Sequence, residues 1–179
     1  MMLIRRLLLS LAAAALAFGP VAVAQQRAAR PLKIVVYGGS GNIGSRIVRE
    51  AVSRGHVVTV VDRAPKAELA PAGVKLVQGN ALDARDIAGN IAGQDVVVSS
   101  VIVRPAPTAD FALKIAQAMV EAQRMQQGTA RTRLMVVGGA SSLYTADGKR
   151  VVETLPDTLP QGTQWEIRSA VAALDWLRS

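Results

Sequence analysis

The sequence predicts a doubly wound α/β fold built on a five-stranded parallel sheet. Three observations predict it. Five short runs of β-branched and other apolar residues recur along the chain, amphipathic helical stretches separate them, and a glycine-rich turn joins the first run to the first helix. Strands buried on both faces read as unbroken apolar runs. Strand–helix alternation with right-handed crossovers builds a parallel sheet. The expected strand order is 3-2-1-4-5. Such a sheet binds its ligand at the carboxyl ends of its strands, where the order reverses between strands 1 and 4.

Lys33–Tyr37 (KIVVY) is the first predicted strand, and Ile43–Arg54 the first helix, with Ile43, Ile47, Val48, Ala51 and Val52 on one face. Gly55-His56 ends that helix. Val57–Val61 (VVTVV) and the short Lys75–Val77 follow as strands two and three. Asp83 is placed to cap a helix over 84–92. Asp95–Val101 (DVVVSSV) is the fourth strand. Pro105 and Pro107 then break the chain, as a loop over a cleft or as the approach to a helix. Asp110–Gln126 is a long helix with Phe111, Ile115, Ala118, Met119 and Ala122 inward. Arg133–Val137 (RLMVV) is the fifth strand, and Glu166–Leu177 the last helix.

Ahead of this core, a basic start (Arg5-Arg6), an Ala/Leu stretch, Gly19-Pro20 and a small-x-small end (Ala22-Val23-Ala24) read as a signal peptide over 1–24. Cleavage after Ala24 would give an exported protein, periplasmic or secreted. The alternative is an uncleaved membrane anchor through that leader. Arg5-Arg6 fits either Sec or twin-arginine export. Residues 25–31 read as a linker, and 32–179 as the folded domain.

Composition narrows the chemistry. The chain has 179 residues, no Cys, one His, two Trp, two Tyr and two Phe. The length fits one domain. Without Cys there is no thiol nucleophile, disulfide or thiolate metal site, and one His leaves only carboxylate metal sites open; no metal is expected. The formal charge is +8, or +6 once Arg5 and Arg6 leave with the leader, and it is scattered. A basic balance without a stripe or a stacking platform of aromatics gives no nucleic-acid partner.

The informative motif is Tyr37-Gly38-Gly39-Ser40-Gly41-Asn42-Ile43-Gly44. It follows a strand and opens a helix, which is the context of a dinucleotide fingerprint. Gly38 allows the tight turn, Gly41 lets a diphosphate approach the backbone, and Gly44 lets the helix pack closely. Free N–H groups at the helix start would bind the diphosphate. No Gly-Lys-Ser/Thr follows, so this is not a Walker loop. At the end of strand two stand Asp62, which suits NAD, and Arg63, which suits the 2′-phosphate of NADP. Side chains alternate along a strand, so only one of the two is expected to face the adenosine.

With GGSGNIG, RGHVVTVVDRAP, VKLVQGNALD, DVVVSSV and LMVVGGASSL in this order, the chain resembles atypical short-chain dehydrogenase/reductases. It is most similar to their NmrA-like and NADH-flavin-reductase-like members, which are related to biliverdin reductase B. The resemblance covers roughly 32–178 and implies a Rossmann-like NAD(P)-binding domain. It implies Gly38, Ser40, Gly41, Asn42 and Ile43 around the pyrophosphate, in a cofactor-binding loop that also includes Gly39 and Gly44. Asp62 and Arg63 would lie at the adenosine ribose, and Asn80, Ala81 and Leu82 at the adenine. Ser99, Ser100 and Val101 would lie along the nicotinamide ribose, with Gly138, Gly139 and Ser142 lining the nicotinamide pocket. It favours NADP(H) over NAD(H), through Arg63.

Two departures qualify the activity. The superfamily's Tyr-x-x-x-Lys pair is absent; its place reads QWEIRS, so Ser142 is left as the catalytic candidate. The family usually continues past ALDWLR with another strand and a substrate lobe, whereas this chain stops at Ser179. The expectation is a cofactor core without its substrate half, or a truncated product. An apolar face left exposed there would promote a homodimer. The expected function is an NAD(P)H-dependent oxidoreductase acting on a small acceptor such as a flavin or quinone. The alternatives are a non-catalytic NAD(P)-binding or sensing protein, or a remnant.

Overall fold

The computed structural model describes residues 30–127 and 131–179. The leader and most of the linker lie outside the described residues. Five strands form one parallel sheet: β1 (Lys33–Tyr37), β2 (Val57–Asp62), β3 (Lys75–Gln78), β4 (Val96–Ser99) and β5 (Arg133–Val136). Their order is β3-β2-β1-β4-β5, the order expected from the sequence. Residues Ile34 to Tyr37 pair in register with Val58 to Val61 on one side and Val96 to Ser99 on the other. Four helices connect and cover the sheet: α1 (Gly44–Ser53), α2 (Ala84–Ile91), α3 (Phe111–Arg124) and α4 (Gln161–Arg178).

Alternation along β1 divides the core in two. Val35 and Tyr37 point to one face, where they meet Ile87 and Ile91 of α2 and Ile115, Met119 and Ala122 of α3. Ile34 and Val36 point to the other, against Val48 and Ala51 of α1. Burying each of these valines and isoleucines contributes about 1.5–3 kcal/mol. α4 packs along α3. β5 is one of the two outer strands, and its Met135 is 55% exposed with Val136 also exposed.

The differences from the sequence reading are local. Asp83 caps α2 as expected, accepting from the amides of Arg85 and Asp86 at 2.9 and 3.2 Å. β4 ends at Ser99 rather than Val101. The last helix begins at Gln161, five residues before the expected Glu166. Gly162 and Thr163 are weak helix formers and masked this first turn. Tertiary packing holds it instead: Gly162 lies against Pro105, and its carbonyl accepts from the Ala106 amide at 3.2 Å. The Pro105–Pro107 segment therefore docks on the start of α4, with Ala106 buried. His56 has a structural partner, its Nδ1 accepting from the Leu32 amide at 3.3 Å.

Candidate functional site

The site forms where β1 and β4 diverge at their carboxyl ends. Gly38 leaves β1 with φ +77°, a conformation that side chains disfavour. Its amide donates to the Val61 carbonyl at 3.0 Å, and its carbonyl accepts from the Gly41 amide at 3.0 Å. This tight turn brings α1 in so closely that Gly44 touches the Gly38 backbone and the Ser100 hydroxyl. The first residue before α1 is Ile43, which offers no side-chain cap. Consequently the amides of Asn42, Ile43 and Gly44 have no acceptor among the described residues. Orphan donors at a helix N-terminus, with the helix dipole behind them, make an anion site. Arg46, one turn into α1, folds back so that its Nη1 donates to the Asn42 carbonyl and side-chain oxygen. The sequence reading missed this cation; its position two residues after Gly44 was the available signal.

Two cavities flank the turn. One, of about 190 Å³, is lined by Gly38, Gly41, Asp62, Arg63, Gly79, Asn80, Ala81, Leu82, Ser100 and Val101, among others. The other, of about 230 Å³, is lined by Ile43, Val101, Gly138, Gly139, Glu166 and Ser169, among others. They share Val101, Ile102, Val103 and Phe111, so they meet along one wall over the end of β4. Ser99 is buried and lines a smaller recess of about 80 Å³ behind that wall. Ser40 and Asn42 edge the turn, and Gly39 is buried against Val60 beneath it. Ser142 lines neither large cavity, and its hydroxyl donates to the Gly139 carbonyl at 2.8 Å.

Both Asp62 and Arg63 line the first cavity. β2 ends at Asp62, so Arg63 lies beyond the strand and escapes its alternation. Asp62 is half-buried, and its Oδ2 accepts from the Ser40 amide at 2.9 Å. Arg63 is exposed, and its carbonyl accepts from the Gln78 side chain at 3.1 Å.

A partly buried relay runs from Asn80, on the wall of the first cavity, to the buried Tyr37. Asp86 accepts from the Asn80 amide with one oxygen and from Asn90 Nδ2 at 2.6 Å with the other. Asn90 also donates to the Tyr37 hydroxyl at 3.2 Å. Asn80 turns its own Oδ1 to the Leu82 amide at 3.0 Å, which fixes the loop 80–82. Burial is the main reason the Tyr37 phenol is pushed up to about 12 from its ordinary 10.0; the Asp86 and Asp83 carboxylates add to this, and Asn90 opposes it. The folded chain thus holds this proton more tightly than the unfolded chain. The associated stability is fully present below pH 10 and is lost as pH rises toward 12. Ultraviolet titration of a Tyr144→Phe variant, which leaves Tyr37 as the single tyrosine, is expected to show ionisation about two units above the ordinary value. Ionisation at the ordinary value in the folded protein would contradict this.

Residues 38–159 match the family described as NAD(P)H-binding. The chain belongs to this family. It is an NAD(P)-binding chain with a Rossmann-like doubly wound sheet. It is 27% identical over 154 residues to the uncharacterized protein YwnB of Bacillus subtilis, covering 81% of this chain and 69% of that one. A Burkholderia pseudomallei structure, provisionally named an exported protein, is 34% identical with a TM-score of 0.65, covering 82% of this chain and 66% of that one. A Streptococcus pneumoniae structure, provisionally named an NADH-flavin reductase, is 28% identical with a TM-score of 0.60, covering 82% and 66%. The chain thus spans about two thirds of the length of these relatives.

Proposed function

We propose that this chain is an NAD(P)H-dependent oxidoreductase acting on a small planar acceptor such as a flavin or quinone. The observation that carries the proposal is the row of acceptor-less amides at Asn42, Ile43 and Gly44, set between two cavities that share a wall. A dinucleotide has a matching shape: a diphosphate between two nucleoside halves. When bound, it supplies a hydride. The three amides and Arg46 would hold the diphosphate. Asp62, Arg63 and the 80–82 loop would hold the adenosine half. Val101, Gly138 and Gly139 would border the nicotinamide half, with Ser99 and Ser100 fixing the wall behind it. The second cavity would orient the ring, and orientation is the chief service a protein gives to hydride transfer. The NADH-flavin reductase name of the Streptococcus relative supports the acceptor class.

The test is loss of reduced-nicotinamide absorbance with menadione or FMN as acceptor. Acceptor-dependent oxidation is the expected result. Tight binding of NADH without oxidation by any acceptor would favour the non-catalytic reading, which the missing Tyr-x-x-x-Lys pair supports.

For the nucleotide, the sequence resemblance leans to NADP(H) through Arg63, and the placement of Asp62 favours NAD(H). Its carboxylate is fixed against the glycine turn, with one oxygen left to accept from ribose hydroxyls. A 2′-phosphate there would meet a negative charge. Asp62→Asn is expected to weaken NADH about tenfold and to tighten NADPH, the effect of one charge-assisted hydrogen bond. Unchanged NADH affinity together with weakened NADPH in Arg63→Ala would return the assignment to NADP(H).

We also propose export, with the mature chain beginning at Gln25. The leader pattern and the name of the Burkholderia relative support it. N-terminal sequencing that finds Met1 on protein free of membrane would contradict it.

A further inference from the structure

The second cavity contains a polar group that the reading above does not use. Ser169, on the inner face of α4, is 1% exposed and lines this cavity. Its Oγ accepts two backbone amides of the first turn of α3, Ala112 at 2.8 Å and Leu113 at 3.3 Å. It thereby caps α3 from a neighbouring helix. The residue that precedes α3, Asp110, makes no capping bond of its own. A hydroxyl has two lone pairs and one proton. Both lone pairs of Ser169 are taken, so only its proton remains to be placed.

A serine inside a helix commonly donates back to the carbonyl four residues earlier. Ser169 does not bond to Trp165 in this way, and its proton has no acceptor among the described residues. A buried donor left unmatched is costly, and native structures rarely leave one. Two amide donors on the oxygen also draw electron density from the O–H and make it a better donor. Most of the surrounding lining is apolar, including Val101, Ile102, Ala112 and Ala170. Glu166, one turn earlier on α4, is occupied at the rim, where its Oε1 accepts from Arg104 Nε at 2.7 Å.

We propose that Ser169 is a binding residue whose hydroxyl donates to a carbonyl oxygen on a planar ring seated in this cavity. The proposal rests on the dinucleotide reading. Two rings carry such a carbonyl: the nicotinamide with its carboxamide, and a quinone-type acceptor.

The experiment titrates the full chain calorimetrically with NADH and with ADP-ribose, which lacks the nicotinamide, and measures KM for menadione. It compares wild type with Ser169→Ala, Ser169→Cys and Ser169→Thr. Alanine removes the donor, cysteine replaces it with a weak one at similar size, and threonine retains it. If the carboxamide is the partner, NADH affinity falls about tenfold in the alanine variant, ADP-ribose affinity holds, and threonine keeps both. If the acceptor is the partner, NADH affinity holds and the KM for menadione rises about tenfold, again with threonine spared. Should alanine leave α3 too poorly capped to fold, the cysteine variant shows the same selective loss. Equal loss of NADH and ADP-ribose affinity, or no change in any arm, would overturn the proposal and leave Ser169 as a cap alone. A wild-type chain that binds neither nucleotide would overturn the dinucleotide reading, and this proposal with it.

Discussion

Gly44→Ala is expected to destabilise the protein by about 3 kcal/mol, the upper end of the usual cost of overpacking. A β-carbon there would lie 2.1 Å from the Gly38 carbonyl oxygen, 2.8 Å from the Gly38 carbonyl carbon and 2.7 Å from Ser100 Oγ. None of these can yield cheaply. The Gly38 backbone is pinned by bonds to Val61 and Gly41, and the Ser100 hydroxyl donates to the Tyr37 carbonyl at 2.8 Å. The start of α1 must lift instead, pulling Val48 and Ala51 away from Ile34 and Val36. In a domain of this size the midpoint of thermal unfolding should fall by roughly 6–12 °C. A midpoint within about 2 °C of wild type would show that α1 does not pack as tightly as described.

Gly41→Val is expected to do the opposite: to spare the fold and remove the ligand. Gly41 is exposed, and a β-carbon on it would meet only the Gly38 carbonyl oxygen, at 3.1 Å. The branched side chain would instead occupy the space over the amides of Asn42 and Ile43, where the proposed diphosphate would sit. NADH affinity should fall at least about 100-fold, close to 3 kcal/mol, with an unfolding midpoint near that of wild type. Two glycines three residues apart thus separate stability from binding. Retained affinity in the valine variant would place the diphosphate elsewhere.

The sheet was legible because its strands are buried on both faces. KIVVY, VVTVV and DVVVSSV contain few polar residues that could mislead, and the glycine turn fixed where the first helix begins. Helix ends were less legible where tertiary contacts outweigh propensity. The first turn of α4 holds Gly162 because Pro105 leaves no room for a side chain there. Many of the residues expected around the cleft line the two cavities, since their places follow from the strand ends. Contacts that depend on side-chain direction were not legible. The Asp62 carboxylate on the Ser40 amide, the return of Arg46 onto Asn42, and the Ser142 hydroxyl turned to its own loop are set by torsions that no periodicity encodes. Ser169 was invisible for a related reason. A pattern of apolar residues shows which face of α4 turns inward, and says nothing of two amides on another helix that need an acceptor.

The free amides at the start of α1 are proposed to receive the diphosphate of a nicotinamide dinucleotide. Isothermal titration of the wild-type chain with NADH, repeated with NADPH and with the Gly41→Val variant, tests this most directly. Saturable binding of at least one nucleotide in the micromolar range, lost in the variant, is the predicted result. Absence of heat from both nucleotides at millimolar concentration, with the protein folded, would contradict it.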